Sequence, residues 1–116
     1  MPQGIATIGK QAFENSYHLK ESVIFPDSLT TIKDYAFQFC YLTSIILPDS
    51  VFSIGNYAFA YSLYLSSLVL PDSTAHIGED TFYECTSLTL TVPKNSYALQ
   101  YAEENNVPYV FKNARE

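Results

Sequence analysis

The sequence predicts a right-handed, β-rich solenoid of about four coils, each of about 23 residues, closed by a C-terminal helix. Three registers of anchor residues carry that prediction. Ile8, Ile32, Ile54 and Ile77 recur at steps of 24, 22 and 23 residues. Phe13, Phe37, Phe59 and Phe82 repeat the same steps, and Pro26, Pro48, Pro71 and Pro93 step by 22, 23 and 22. A unit this short cannot bury its own apolar face, whereas stacked units bury a continuous core.

Each unit opens with Ile-(Gly/Lys)-x-x-(Ala/Thr)-Phe. A polar turn follows, then an apolar strand, a Pro-Asp-Ser turn and a second short apolar run. The strands are expected at Val23–Phe25, Leu42–Leu47, Leu65–Leu70 and Leu88–Val92. They are short, carry β-branched residues, and end at a proline that cannot continue a hydrogen-bonded ladder. Stacked coils place successive strands about 4.8 Å apart in a parallel ladder. Ala-Phe should then face inward and the phenylalanines should stack. Gly9, Gly55 and Gly78 follow the anchor isoleucines, where a chain reversal favours glycine. Lys33 at the equivalent place means that positive φ is not obligatory there.

The chain reads as a single repeat domain over residues 1–116. Residues 1–7 match the end of a preceding unit, with Ile5 in the place of Val51, and residues 8–93 form the tandem units. No polar N-terminal cap precedes them. The expectation is a fragment of a longer protein, or an N-terminal edge covered by self-association, since an open edge invites pairing. Residues 94–111 read as a C-terminal cap. Asn95 or Ser96 can cap a helix from about Tyr97 to Glu104. Tyr97 and Tyr101, with Ala98 and Ala102, form one face of it. Asn105-Asn106 ends the helix, and Val107–Phe111 reads as a last extended segment. Residues 112–116 are expected to fray.

Composition narrows the function. Hydrophobic residues make up 47% of the 116 and charged residues 16%, with a formal charge of −6. Lys and Arg do not cluster, so phosphate-rich nucleic acid and anionic membrane surfaces are poor partners. No apolar run is long enough for membrane insertion, and the opening residues MPQGIATIGK do not read as a signal peptide, an absence that fits the expectation of a fragment. Two Cys and two His are too scattered for a zinc pattern. No G-x-S-x-G, H-E-x-x-H or P-loop is present. The expectation is a non-enzymatic chain with no catalytic residues, no cofactor and no metal site. His18 and His76 fall at different places in their units.

Cys40 and Cys85 lie three residues after their unit phenylalanines, where Ser16 and Ser62 stand in the other units. Two coils separate them, about 9.5 Å. That is too far for a disulfide, so the position reads as a small residue in a tight buried turn. Asp27, Asp49 and Asp72 form a column in the Pro-Asp-Ser turns. It reads as turn chemistry rather than as a Ca²⁺ ladder, because Lys94 follows the last proline.

Two surfaces are left as contact candidates. If Ile45 and Leu47 point inward, Ile46 points outward, and its equivalents are Ile24, Val69 and Thr91. Beside them run Ser22, Ser44, Ser67 and Thr89. This strand face is the leading protein-binding candidate. A second outward row holds Thr31, Ser53 and His76, with Phe52 alongside. The competing surface is aromatic. Tyr35 and Tyr57 are equivalent, and Tyr41, Tyr61, Tyr64 and Tyr83 fall in the turns after Phe. Such rings can stack on sugars, anchor a protein partner, or simply pack the coil edge.

The stretches IGNYAFAYSLYLSSLVLPDS and IGEDTFYECTSLTLTVP resemble repeats of the BspA-like leucine-rich-repeat family, across residues 5–93. KNSYALQYAEENNVPYV resembles that family's closing segment. The resemblance implies a leucine-rich-repeat solenoid in a bacterial cell-surface or secreted protein, with a protein ligand on host extracellular matrix or on another cell. The leading expectation is therefore a protein-binding or adhesion module. A carbohydrate-binding module using the tyrosines and a structural spacer are the alternatives.

Overall fold

The structure, a computed structural model, describes residues 3–16 and 23–112. Ser22, His18 and most of the expected C-terminal tail lie outside the described residues. The strands are β1 (Thr7–Ile8), β2 (Thr31–Ile32), β3 (Ser44–Ile46), β4 (Ser53–Ile54), β5 (Ser67–Val69), β6 (His76–Ile77), β7 (Thr89–Val92) and β8 (Tyr109–Phe111), with helix α1 (Tyr97–Glu104) before the last. They form two parallel sheets, ordered β1-β2-β4-β6 and β3-β5-β7-β8. Pairing follows the repeat: Ile32 faces Ile54, which faces Ile77, and Ile46 faces Val69, which faces Thr91.

Two points depart from the sequence reading. The short run after each Pro-Asp-Ser turn is itself a strand, so each coil contributes to two sheets. The stretch Val23–Phe25 carries no strand, and β3 is the first strand of its sheet among the described residues.

The core is a column of rings. Phe13, Phe37, Phe59 and Phe82 stack with centroids 5.1, 5.3 and 5.8 Å apart and planes within 11°. Phe25 meets Phe37 edge-on, and Tyr101 of α1 closes the column edge-on against Phe82 at 6.2 Å. Around it the inward strand residues Ile45, Leu68 and Leu90 are buried, as are Ile54 and Leu65.

The coil reverses direction through a repeated backbone device. Gln11, Tyr35, Tyr57 and Asp80, three residues after each anchor isoleucine, have φ between 50° and 62°. Asn15, Phe39, Tyr61 and Glu84, two residues after each phenylalanine, have φ between 58° and 62°. Left-handed backbone is unfavourable for such side chains by about 1–2 kcal/mol each. Cross-coil hydrogen bonds hold it in place: Tyr35 N donates to Asn56 O, Phe39 N to Ala60 O, Tyr57 N to Glu79 O and Tyr61 N to Tyr83 O.

The glycines do something else. Neither Gly55 nor Gly78 has positive φ; Gly4 is the only positive-φ glycine among the described residues. A Cβ on Gly55 would lie 2.5 Å from Asp34 N, and one on Gly78 would lie 2.6 Å from Asn56 N. Close approach of coils, rather than chain reversal, is what needs glycine there. The neighbouring side chains use that approach. Asp34 Oδ1 accepts from Asn56 N at 2.8 Å, and Asn56 Oδ1 accepts from Glu79 N at 2.8 Å.

The last coil is closed in two parts. Ser96 caps α1, its hydroxyl accepting from Leu99 N at 3.0 Å. The helix buries Ala98, Tyr101 and Ala102. Tyr97 Oη accepts from Ile77 N and donates to Ile77 O, so it satisfies the free edge of β6. The other sheet is covered by β8 instead, whose neighbour Lys112 donates its N–H to Val92 O.

Candidate functional site

The outward row on the second sheet is a continuous strip. Ile46 is 71% exposed on β3, with Val69 and Thr91 half-buried in register beside it; Ile24, expected in the same row, is 85% exposed but belongs to no strand of the sheet. Pairing of β8 with β7 sets Val110, 53% exposed, directly beside Thr91. Val110 extends the row by one residue that the sequence reading missed. The usable signal was the alternation in Val107–Phe111, which needed the strand pairing to fix its phase. Ser44, Ser67 and Thr89 stand in register as a second row. Ser44 is exposed and the other two are half-buried. The strip's inward neighbours are core residues, so its backbone is held rigidly. It offers branched apolar surface and short hydroxyls with no titratable group, which suits a protein surface better than bond-making chemistry.

The first sheet presents Thr31, Ser53 and His76 outward. Phe52 lies against His76 with ring centroids 5.2 Å apart. It is a narrower face than the strip, because its strands are only two residues long.

The aromatic candidates collect along the edge that carries the left-handed turns. Tyr41 stacks on Tyr64 at 5.6 Å, and both are exposed. Tyr61 is half-buried, stacked on Phe39 at 4.8 Å and meeting Tyr83 edge-on at 5.5 Å. Tyr35 and Tyr57 stack at 5.4 Å. Phe39 and Leu63 belong to this edge and are exposed, and the sequence reading did not place them there.

The small turn residues, buried at Cys40 and Ser62 and half-buried at Cys85, form a ladder of donors. Ser62 Oγ donates to Phe37 O at 3.1 Å and lies 3.2 Å from Cys40 Sγ. Cys85 Sγ donates to Phe59 O at 3.0 Å. Each therefore ties its turn to the phenylalanine carbonyl of the preceding coil. Both thiols are free. Burial pushes the Cys40 thiol up from its ordinary value of 9.0, and pushes Cys85 to about 12. The unfolded chain therefore releases these protons first. Their protonated forms stabilise the fold fully below pH 9, and that contribution falls as pH rises from 9 toward 12. The urea midpoint is expected to drop between pH 7.5 and pH 10, and the drop to shrink in Cys85→Ser. An equal drop in both proteins would assign the effect to the tyrosines.

The Asp column is exposed. The turns are closed by backbone bonds from Leu29 N to Pro26 O, Val51 N to Pro48 O and Thr74 N to Pro71 O. The serines reach across coils: Ser28 Oγ donates to Ile5 O and Ser73 Oγ to Val51 O. Among the described residues, no three His, Cys, Asp or Glu side chains gather where they could hold a metal ion. No helix of the described residues is long and apolar enough to cross a membrane.

Stacked parallel coils of this length, with an exposed β-branched strand face and an aromatic core column, define a leucine-rich-repeat solenoid. The sequence matches the BspA type leucine rich repeat region in six copies over residues 1–106, and the chain belongs to that family. A leucine-rich repeat protein from Bacteroides ovatus ATCC 8483 has a similar structure, with a TM-score of 0.78 and 27% identity. The match covers 97% of this chain and 30% of that one. The T. pallidum leucine-rich repeat protein shares the fold, with a TM-score of 0.64 and 24% identity over 75% of this chain and 52% of that one. The chain thus spans less than two thirds of either relative. No curated protein matches it.

Proposed function

We propose that this chain is a non-enzymatic protein-binding module that meets its partner through the strand face. The observation that carries the reading is the outward row in register across the sheet: Ile46, 71% exposed on the edge strand β3, then Val69 and Thr91, then Val110, 53% exposed on β8. Branched side chains in register over successive coils, with Ile46 and Val110 facing water, are costly surface that a partner would cover. Ser44, Ser67 and Thr89 supply short hydroxyls beside it for hydrogen bonds to the partner. The family and the bacterial relatives favour a cell-surface or secreted protein, and a ligand on host matrix or on another cell.

The test is surface plasmon resonance against fibronectin, fibrinogen and other matrix proteins, with the Ile46→Lys/Val69→Lys double variant alongside. Each lysine places an unpaired charge in the contact, so affinity is expected to fall at least about tenfold, or about 1.4 kcal/mol. Circular dichroism should be unchanged, because both side chains lie on the outer side of the sheet, away from the core. Equal affinity of the variant sinks the strand-face reading. A second reading rests on the stacked, exposed Tyr41–Tyr64 pair, which suits the face of a sugar ring. Binding to glycans that is lost in Tyr64→Ala and kept in the double lysine variant would favour it.

A further inference from the structure

A second exposed apolar surface, wider than the Tyr41–Tyr64 pair, lies away from the strand face. Phe39, Tyr41, Leu63, Tyr64 and Tyr83 are all exposed along the turn edge. Ring contacts from Phe39 through Tyr61 to Tyr83 make it continuous across three coils. We propose that this aromatic edge is a contact surface for an extended basic segment of a partner protein, with an arginine or lysine seated between the last coil and the C-terminal cap.

The edge is preformed. Phe39 and Tyr61 sit on left-handed backbone held by their N–H bonds to the next coil, at 2.9 Å to Ala60 O and 2.7 Å to Tyr83 O. Rings held this way lose little freedom on binding, which favours them as anchors. Two concavities lie along it. One, of about 170 Å³, is walled by Phe39, Tyr41, Tyr61, Leu63 and Tyr64. The other, of about 300 Å³, lies between the last coil and the cap, walled by Phe82, Tyr83 and Tyr101 together with Asp80 and Glu84.

The charge of those walls selects the partner. The charged side chains lining either concavity are Asp80 and Glu84, and no lysine or arginine among the described residues lines them. Asp80 is fixed by Tyr57, whose hydroxyl donates to Asp80 Oδ2 at 3.2 Å. The Asp80 charge in turn holds the Tyr57 phenol above its ordinary range. A guanidinium or ammonium placed there would meet carboxylates at one end and ring faces along its stem. An acidic segment would be repelled, and a neutral glycan would gain nothing from the carboxylates.

The probe is a fluorescein-labelled peptide of alternating arginine and serine, followed by fluorescence anisotropy. Saturable binding is expected, weakened about tenfold by Tyr83→Ala and by Asp80→Asn/Glu84→Gln. The control pair Asp27→Asn/Asp49→Asn removes the same charge from the exposed turn column and is expected to leave the affinity within about twofold. Glu84→Gln alone serves if the loss of Asp80 prevents folding, as judged by circular dichroism. Absence of saturation overturns the proposal. So does equal weakening by the control pair, which would mean general charge attraction, or indifference to Tyr83→Ala. Binding of a neutral glucan in place of the peptide also overturns it. Because no strand-face residue enters this test, its failure leaves that reading untouched.

Discussion

Phe59→Ala is expected to lower the stability of this chain by about 3–5 kcal/mol, the usual range for removing a buried phenylalanine. Phe59 is fully buried and stacks on both sides, against Phe37 at 5.3 Å and Phe82 at 5.8 Å. Its loss opens a cavity that neighbouring coils cannot close, because backbone hydrogen bonds fix the coil spacing. A solenoid transmits stability only between adjacent coils, so a gap in the third ring also uncouples the two ends. Urea unfolding followed by circular dichroism should show a lower midpoint and a broader transition. A midpoint shift worth less than about 1 kcal/mol would mean that the ring column is not the principal core.

Gly55→Ala comes next in size. A methyl group at Gly55 would meet Asp34 N at 2.5 Å and Lys33 C at 2.7 Å, both backbone atoms that cannot swing aside. The coils would have to part, which stretches the bond from Gly55 N to Ile32 O and the bond from Asn56 N to Asp34 Oδ1. Overpacking of this kind costs about 1–3 kcal/mol, and a rigid backbone partner places this case near the top of that range. Gly9→Ala is the matched control, since nothing lies within 4 Å of a Cβ there. It should be neutral or slightly stabilising, through the smaller entropy of the unfolded chain. Thermal melts of the two variants test the pair. Equal melting temperatures would refute the close-approach account of Gly55.

The contrast between those glycines shows how much was legible beforehand. All three follow an anchor isoleucine, and the sequence suggested one reason for all of them. The reason was wrong in kind, because a glycine needed for φ and one needed for proximity look the same in one dimension. Proximity depends on which backbone of the neighbouring coil lies opposite. The same limit hid the role of Asp34 and Asn56, whose carboxylate and amide oxygens accept the N–H of the next coil. It also hid the left-handed positions of Tyr35, Phe39, Tyr57 and Tyr61, since bulky aromatics carry no local signal for that conformation.

The contact surfaces divide in the same way. The alternation around Ile46 points one residue out for each residue in, so the row Ile46, Val69 and Thr91 could be written from period two, whereas Ile24, placed in it by the same rule, lies outside any strand. Val110 could not, because its phase comes from pairing β8 with β7 rather than from the repeat. Phe39 and Leu63 joined the aromatic edge only when adjacent coils were set side by side.

The sequence by itself determined the coil length, the stacked phenylalanine column, the phase of the strands and the helix from Tyr97 to Glu104. Those follow from a periodic pattern of apolar burial and from local capping, which act within one unit. Tertiary structure alone decided what passes between units. It decided where coils touch backbone to backbone, and how the aromatic edge joins into one surface. It also decided that the last coil is closed by a tyrosine hydroxyl on one sheet and a strand on the other. Those outcomes rest on distances between residues about 23 positions apart, which no local pattern encodes.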